Sequence, residues 1–117
     1  MRHRVNSTRL NRPKDHLNSM LANLTVSVIL YEKVKTTAPK AKLVRSMIDK
    51  MITIAKGKNL PLALRRLNQI LPDKNAAKKL TQELRTRYTD RTSGFTRMHK
   101  IGYRAGDAAT MVELSLV

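Results

Sequence analysis

Residues 94–107, GFTRMHKIGYRAGD, constrain the fold most, because they favour extended backbone in a chain whose other segments are patterned as helices. Phe95, Ile101 and Tyr103 have high β-propensity and share one parity, and the Gly-Asp pair that follows is typical of a turn. The next run, residues 110–117, alternates apolar and polar side chains as a strand does. The two runs together predict a β-hairpin.

The first strand of this hairpin carries basic side chains on rigid backbone. Arg97, Lys100 and Arg104 lie on it or directly after it, an arrangement suited to binding phosphate. The alternative is that they form the solvated face of an antiparallel pair. Exposed aromatic rings on a sheet can stack on RNA bases, but we expect Phe95 and Tyr103 to pack in the core.

Four helices are predicted from apolar residues that recur at intervals of three and four. The first begins near Pro13 and ends near Leu30, and the second has Thr37 as its N-cap and ends near Gly57. Asn59 begins the third, which ends at Pro72, and Asp73 or Asn75 caps the fourth. The apolar stripes of the last two helices are Leu60, Leu64, Leu67 and Leu71, and Ala77, Leu80, Leu84 and Tyr88.

A short polar segment at residues 31–36 is the possible edge strand of the fold. Its Lys33 and Lys35 suit either an exposed edge or contact with RNA. The order of elements is then helix, strand, three helices and two strands, which predicts a two-layer α+β domain. We expect a basic N-terminal arm over residues 1–13 and a single globular domain over residues 14–117.

The start of the chain is too polar to fold alone. Basic residues dominate it, no carboxylate is present before Asp15, and few apolar side chains could offset the entropy of ordering. On RNA the segment could order by neutralising phosphates, whereas the alternative is a frayed, charged terminus. Its cations are Arg2, Arg4, Arg9, Arg12 and Lys14.

Net charge identifies the class of partner. The 117 residues include 24 Lys and Arg but 8 Asp and Glu, a formal charge of +16. Self-repulsion of that size favours a polyanionic partner, and nucleic acid leads. A membrane surface would favour one basic amphipathic helix, whereas here the cations are spread along the chain. Aromatic residues make up 3% of the chain and Trp is absent, so the core must be aliphatic.

Catalytic and metal sites are not predicted. The chain has no Cys, and His3, His16 and His99 are too scattered for a metal site. The carboxylates occur singly, without a partner base or nucleophile. The start MRHRVNSTRL lacks the apolar core of a secretory signal, and residues 24–30 are too short to span a bilayer. We therefore expect no enzyme, no cofactor, no small-molecule substrate, no membrane partner and a cytosolic location.

Three blocks, taken in order, carry a resemblance to a known family. They are MRHR with LNR at residues 10–12, KTTAPKAK at residues 35–42, and GFTRMHKIGYRAGD at residues 94–107. Together they resemble the bacterial large-subunit ribosomal protein seventeen family over nearly the whole chain. The family fold implied is a helix, a strand, three helices and two strands, in agreement with the pattern of the residues.

The resemblance implies a structural constituent of the large ribosomal subunit in the cytoplasm. It also implies binding to the large ribosomal RNA near the peptide exit tunnel, support of its folding and assembly, and neighbouring large-subunit proteins as partners. Where the family usually carries basic residues in the first helix, this chain has Leu17 and Ala22. The RNA contacts implied are Arg2, His3, Arg4, Arg9, Asn11 and Arg12 in the arm, and Lys40, Lys42, Arg97, Lys100 and Arg104 on the domain.

Two further candidates and one alternative function come from the residues themselves. Lys14 follows the arm and Lys35 lies on the predicted edge strand, so both are added to the RNA-binding set. A free regulatory module that binds RNA or DNA, for example an RNA chaperone, would have the same charge without belonging to the ribosome. Retention on large subunits after a salt wash distinguishes the two functions.

Overall fold

A computed structural model describes residues 10–117, so Arg2, His3, Arg4 and Arg9 lie outside the described part of the chain. The predicted order of helix, strand, three helices and two strands in an α+β fold is confirmed. The predicted fourth helix is continuous but consists of two α-helical segments joined by a π-helical one. The elements are α1 (Lys14–Tyr31), β1 (Lys33–Thr37), α2 (Ala38–Ala55), α3 (Leu60–Ile70), α4 (Lys74–Lys79), the π-helical segment (Leu80–Leu84), α5 (Arg85–Arg87), β2 (Thr96–Tyr103) and β3 (Thr110–Leu116).

The three strands form one antiparallel sheet in the order β1-β3-β2, with the last strand in the centre. Val34 pairs with Leu114, which pairs with Met98 on the other side. Because directly paired residues share a face, this row faces the helices and is buried or half-buried. The helices cover this face of the sheet. On the opposite face most residues of the outer strands are exposed, whereas Ser115 in the central strand is buried.

The core is aliphatic, as predicted, and α2 runs through its middle. This helix buries Val44, Ile48 and Ile52 completely, each worth about 1.5–3 kcal/mol when removed from water. One aromatic pair completes the core: the rings of Tyr88 and Phe95 lie 5.1 Å apart. The Tyr88 hydroxyl donates to the carbonyl oxygen of residue 117 at 2.8 Å, which ties the end of the fourth helix to the end of β3.

Two of the predicted helix caps are present. The Asn59 side chain accepts a hydrogen bond from the backbone N–H of Leu62, and Asp73 accepts one from Asn75 at 2.7 Å. Asp73, and not Asn75, is therefore the cap of the fourth helix. Thr37 occupies the predicted N-cap position of α2, but its hydroxyl makes no capping hydrogen bond.

One side chain of the predicted α3 stripe and one that was expected in the core are exposed. Leu60 begins α3 and points to solvent, whereas the rest of its stripe is buried or half-buried. Tyr103 is exposed as well, so the prediction that it packs in the core is wrong, while Phe95 is buried as expected. Phe95 lies just before β2, so its burial does not indicate which residues of the strand face the helices. At the start of β2 the even-numbered residues face the helices.

Neither a membrane-spanning helix nor a metal site is found between residues 10 and 117. No helix there is long and apolar enough to cross a bilayer. The His and carboxylate side chains of that part form no group of three that could hold a metal ion.

Candidate nucleic-acid interface

Four of the predicted RNA-binding residues line one open groove, with a volume of about 560 Å³, beside the start of α1. We call it the arm-side groove, because the chain enters the domain there from residues 1–9. Arg12 precedes α1, Lys40 lies in the first turn of α2, and Arg104 follows β2. The complete lining is Leu10, Asn11, Arg12, Thr37, Ala38, Pro39, Lys40, Arg104, Ala109 and Thr110.

Local backbone geometry shapes the arm side of the groove. Leu10 and Asn11 have positive φ angles of 49° and 55°, a conformation that Asn adopts more readily than most residues. Arg12 donates from Nη1 to the carbonyl oxygen of Leu10 at 3.0 Å, and Pro13 then leads into α1. The tight turn therefore places the Arg12 guanidinium beside α2 and the hairpin.

The electrostatics of the groove favour an anion. Its lining residues include three cations and no carboxylate. Ala38, Pro39 and Lys40 begin an 18-residue helix, so the positive end of the α2 dipole also faces the groove.

Arg104 is the one cation of the groove with a carboxylate partner. Its Nε and Nη2 donate to Asp107 at 3.1 Å and 2.5 Å. The Arg104 guanidinium and the backbone N–H of Ala109 hold the pKa of Asp107 at about 2, and Asp107 in turn raises the pKa of Arg104. Arg12 and Lys40 are therefore freer to bind a phosphate than Arg104.

A second basic surface lies on the open side of the sheet. One cross-strand row is Lys33, Ser115 and Arg97, and the next is Lys35, Glu113 and His99. We call these six residues the open sheet face. Lys35 and Arg97 lie on outer strands that flank β3 and belong to neighbouring rows, so their backbones are about 12 Å apart. This face thus combines three cations with one carboxylate.

The structure leaves three predicted residues outside both surfaces. Lys14 and Lys42 are exposed on α1 and α2 but do not line the groove. Lys100 pairs with Val112 and so lies on the helix-facing side of the sheet, near its end. Its Nζ is 3.4 Å from the Tyr103 hydroxyl and 5.2 Å from the centre of that ring.

Comparison with known proteins identifies the family. A family model described as "Ribosomal protein L17" matches residues 20–117. The chain belongs to the ribosomal protein L17 family. The predicted family is confirmed, and with it the prediction of a ribosomal protein of the bacterial cytoplasm that is not an enzyme.

Relatives named "Large ribosomal subunit protein bL17" align with nearly all of the chain. The Orientia tsutsugamushi protein is 44% identical over 117 residues, covering 100% of this chain and 80% of the relative. The Desulforudis audaxviator protein is 47% identical over 109 residues, covering 93% of this chain and 96% of the relative. The Ehrlichia canis protein is 42% identical over 120 residues, covering 100% and 91%.

Some basic residues of this family member hold the fold together. Glu32 ends α1 with a positive φ of 66°, and its carboxylate accepts from Lys79 at 3.0 Å and from Arg87 at 2.9 Å. Arg87 also contacts Glu83 at 2.8 Å. We call these four residues the Glu32 cluster. The hydrogen bonds from Arg87 and then Lys79 lower the pKa of Glu32 to about 2.

Other cations satisfy backbone carbonyls near the end of α2. Lys56 donates to the carbonyl oxygen of Arg91, and Arg85 donates to that of Ala55 at 3.4 Å. Arg91 donates to the carbonyl oxygen of Gly94 at 3.1 Å. The sequence carried no signal for the contacts of Lys56, Arg85 and Arg87 with Arg91, Ala55 and Glu32, because these partners lie 35, 30 and 55 residues apart. Glu83 and Arg87, at i and i+4 on one helix, are the pair of the Glu32 cluster that spacing could have indicated.

Proposed function

We propose that the protein is a structural constituent of the large ribosomal subunit and binds large-subunit ribosomal RNA through the arm-side groove and the open sheet face. The observation that carries the proposal is the meeting of Arg12, Lys40 and Arg104 in one groove, where Arg104 alone of the three has a carboxylate partner within residues 10–117. The names of the relatives support the assignment to the large subunit.

The proposed role of the groove is to neutralise phosphates of the RNA. Arg12 can bind a phosphate through two N–H groups, whereas Lys40 acts as a point charge. Backbone N–H groups in the first turn of α2 add the positive end of the helix dipole. Each phosphate contact releases condensed counterions, so binding is strong at low salt and weakens as salt increases.

The open sheet face extends the same kind of contact. Lys35 and Arg97 are both exposed on outer strands of a rigid antiparallel sheet. Backbone phosphates fix position and orientation but carry no base sequence, so these contacts suit recognition of folded RNA by its shape. The aliphatic core keeps the two surfaces in a fixed relation as the RNA folds.

The arm is assigned to the same RNA. We propose that residues 1–13 precede a single domain at residues 14–117 and continue the contacts of the groove through Arg2, His3, Arg4 and Arg9. The family resemblance further implies a position near the peptide exit tunnel, with neighbouring large-subunit proteins around the domain. Lys14, Lys42 and Lys100 remain proposed RNA contacts outside the two surfaces.

Sucrose-gradient sedimentation of ribosomes from cells that express the tagged chain tests this function. We expect stoichiometric recovery with large subunits, retained through a moderate salt wash. Recovery in the free-protein fractions alone would contradict the ribosomal assignment and favour a free regulatory module.

Deletion of residues 1–12 tests the arm together with the side of the groove that Asn11 and Arg12 line. Since α1 begins at Lys14, the shortened chain should fold with an unchanged circular dichroism spectrum. We expect its incorporation into large subunits to fall when it competes with the full-length chain. Equal incorporation of the two chains would rule out an RNA-binding arm.

A further inference from the structure

The end of β2 exposes two large apolar side chains. Ile101 is 48% and Tyr103 is 67% exposed, although both belong to a strand whose backbone is paired with β3. Their exposure is therefore fixed by the sheet and is not a property of a free loop. Tyr is enriched at interfaces, because its ring offers an apolar face and its hydroxyl group a polar end.

A β-bulge directs the Tyr103 ring. The register with β3 shifts between Lys100 and Gly102, so Ile101 is the extra residue. Gly102 has a φ of 141°, a conformation that residues with a side chain rarely adopt. Without the bulge, Tyr103 would lie on the same side as Arg97. With it, Tyr103 pairs with Thr110 and lies on the side of Lys100.

One cation lies near this ring, and two lining residues of the arm-side groove adjoin Tyr103 in the sheet and along the chain. The Nζ of Lys100 lies 5.2 Å from the centre of the Tyr103 ring, and Arg104 follows directly in the chain. Thr110, which pairs with Tyr103, lines the arm-side groove, as does Arg104. The ring therefore stands at the rim of the proposed phosphate site.

We propose that Tyr103 stacks on one unpaired base of the RNA whose phosphates occupy the arm-side groove. This inference rests on the proposed function and adds its mode of recognition. A basic groove beside an aromatic platform is the usual design of single-strand binding, because every base has a face on which a ring can stack. RNA recognition in loops and bulges uses the same contact.

The charges beside the ring favour RNA over a protein partner. An apolar protein pocket that received Tyr103 would also have to desolvate Lys100 and Arg104, which is costly for charged groups. A nucleotide satisfies the ring and the cations together, since its base can stack while its phosphates neutralise the charges. The cation near the ring can also reach a phosphate without leaving the sheet.

Binding of the full-length protein to two RNA probes tests the proposal. The probes are a single-stranded 12-mer of uridine and a 12-base-pair RNA duplex, measured by fluorescence anisotropy at about 0.1 M salt. Tyr103→Leu keeps the bulk of the side chain but removes the aromatic face. Stacking contributes roughly 1–3 kcal/mol per base, so affinity for the single strand should fall about 5- to 150-fold. Affinity for the duplex should change less than about twofold.

Matched variants separate stacking from charge and from general exposure. Tyr103→Phe keeps the ring and should bind the single strand like the wild type. Ile101→Ala removes the neighbouring exposed apolar side chain and should change neither affinity. Tyr103→Leu should leave the salt dependence of binding unchanged, because no phosphate contact is lost.

Two results would overturn the inference while leaving the proposed function intact: an equal loss for both probes with Tyr103→Leu, or no loss for either. A wild-type protein that bound neither probe would contradict the RNA-binding function itself, and the inference with it. A selective loss in Tyr103→Leu that Tyr103→Phe does not share would support stacking.

Discussion

The Glu32 cluster and the arm-side groove both gather Lys and Arg from distant parts of the chain, but they differ in what the cations meet. In the cluster, Lys79 and Arg87 share the Glu32 carboxylate. The backbone carbonyl oxygen of Glu32 also accepts a hydrogen bond from the Leu116 N–H at 3.0 Å. In the groove, Arg12 and Lys40 lie among residues that include no carboxylate. The cations of the Glu32 cluster stabilise the fold, whereas Arg12 and Lys40 in the groove are available to a partner.

The difference teaches that a high net charge does not describe how individual cations are used. A Lys or Arg with a carboxylate partner at about 3 Å is already neutralised and gains little from a phosphate. The geometry around each side chain, more than its residue type, assigns it to one group. Each of three substitutions or pairs of substitutions alters one of these two regions and leaves the other intact.

The largest effect is expected from removing the free cations of the groove. The double variant Arg12→Gln with Lys40→Gln loses two proposed phosphate contacts, and the slope of log affinity against log salt should become shallower by roughly 1.4–1.8. Affinity for a folded fragment of large-subunit RNA should then fall roughly 10- to 60-fold at 0.1 M salt. Filter binding across a salt series measures both quantities.

A charge-matched control is available on α3. Arg65 and Arg66 are exposed there and line neither the groove nor the open sheet face. Changing both to Gln removes the same net charge, so a long-range effect of charge alone would reduce affinity equally. An equal loss in the two double variants would mean that the groove is not the binding site.

An intermediate effect, on stability alone, is expected from Glu32→Gln. The change removes the negative charge, so the amide oxygen accepts from Lys79 and Arg87 without charge assistance. The loss is moderate, because the Glu32 side chain is 36% exposed and partly screened. We expect unfolding free energy to fall by about 1–2 kcal/mol, which lowers Tm by roughly 5 °C in a domain of this size. Thermal melts measure the loss, and RNA affinity should stay within about twofold of the wild type.

The pH dependence of this variant identifies the carboxylate as the cause. Because the folded pKa of Glu32 is about 2 against an ordinary 4.5, its contribution is complete above the ordinary value and is lost as pH falls towards 2. The gap in stability between wild type and Glu32→Gln should therefore narrow across that range. A gap that stayed constant from pH 6 to about pH 2 would assign the loss to packing instead.

The smallest effect is expected from Asp107→Asn, which removes the carboxylate partner of Arg104. Within the described part of the chain, Arg104 then lacks a carboxylate partner, as Arg12 and Lys40 do. The amide oxygen can still accept from the Ala109 N–H, and backbone hydrogen bonds between residues 104 and 108–109 hold the turn. With its guanidinium released, Arg104 should raise RNA affinity roughly two- to fivefold and steepen the salt dependence. An unchanged affinity in a titration would exclude Arg104 as a phosphate contact.

The order of elements followed from sequence because local patterns determine it. Apolar spacing located the helices, and Asn59 and Asp73 marked two of their starts through short-range hydrogen bonds. The exposure of Tyr103 could not be predicted, because it depends on a bulge in the pairing with β3. Parity along a single strand gives no information about an extra residue in one partner.

The candidate site followed from sequence only as a set of cations. Asn11, Arg12, Lys40 and Arg104 were all in that set, and their meeting in one groove is a property of the tertiary fold. Asp107 lies only three residues after Arg104, but sequence alone could not decide whether their side chains face each other. Lys79 and Arg87 look like surface cations until Glu32 is placed between them.

The position of β3 in the centre of the sheet has a consequence for synthesis. This strand is the last of the described elements to be made, yet it alone pairs with both β1 and β2. Roughly seventy residues separate β1 from β3, so at typical translation rates several seconds pass before the partner strand of β1 has been synthesised. The helices can associate earlier through their aliphatic faces. Folding of residues 14–117 during synthesis should therefore finish with the sheet, in a single late step in which β3 pairs with β1 and β2.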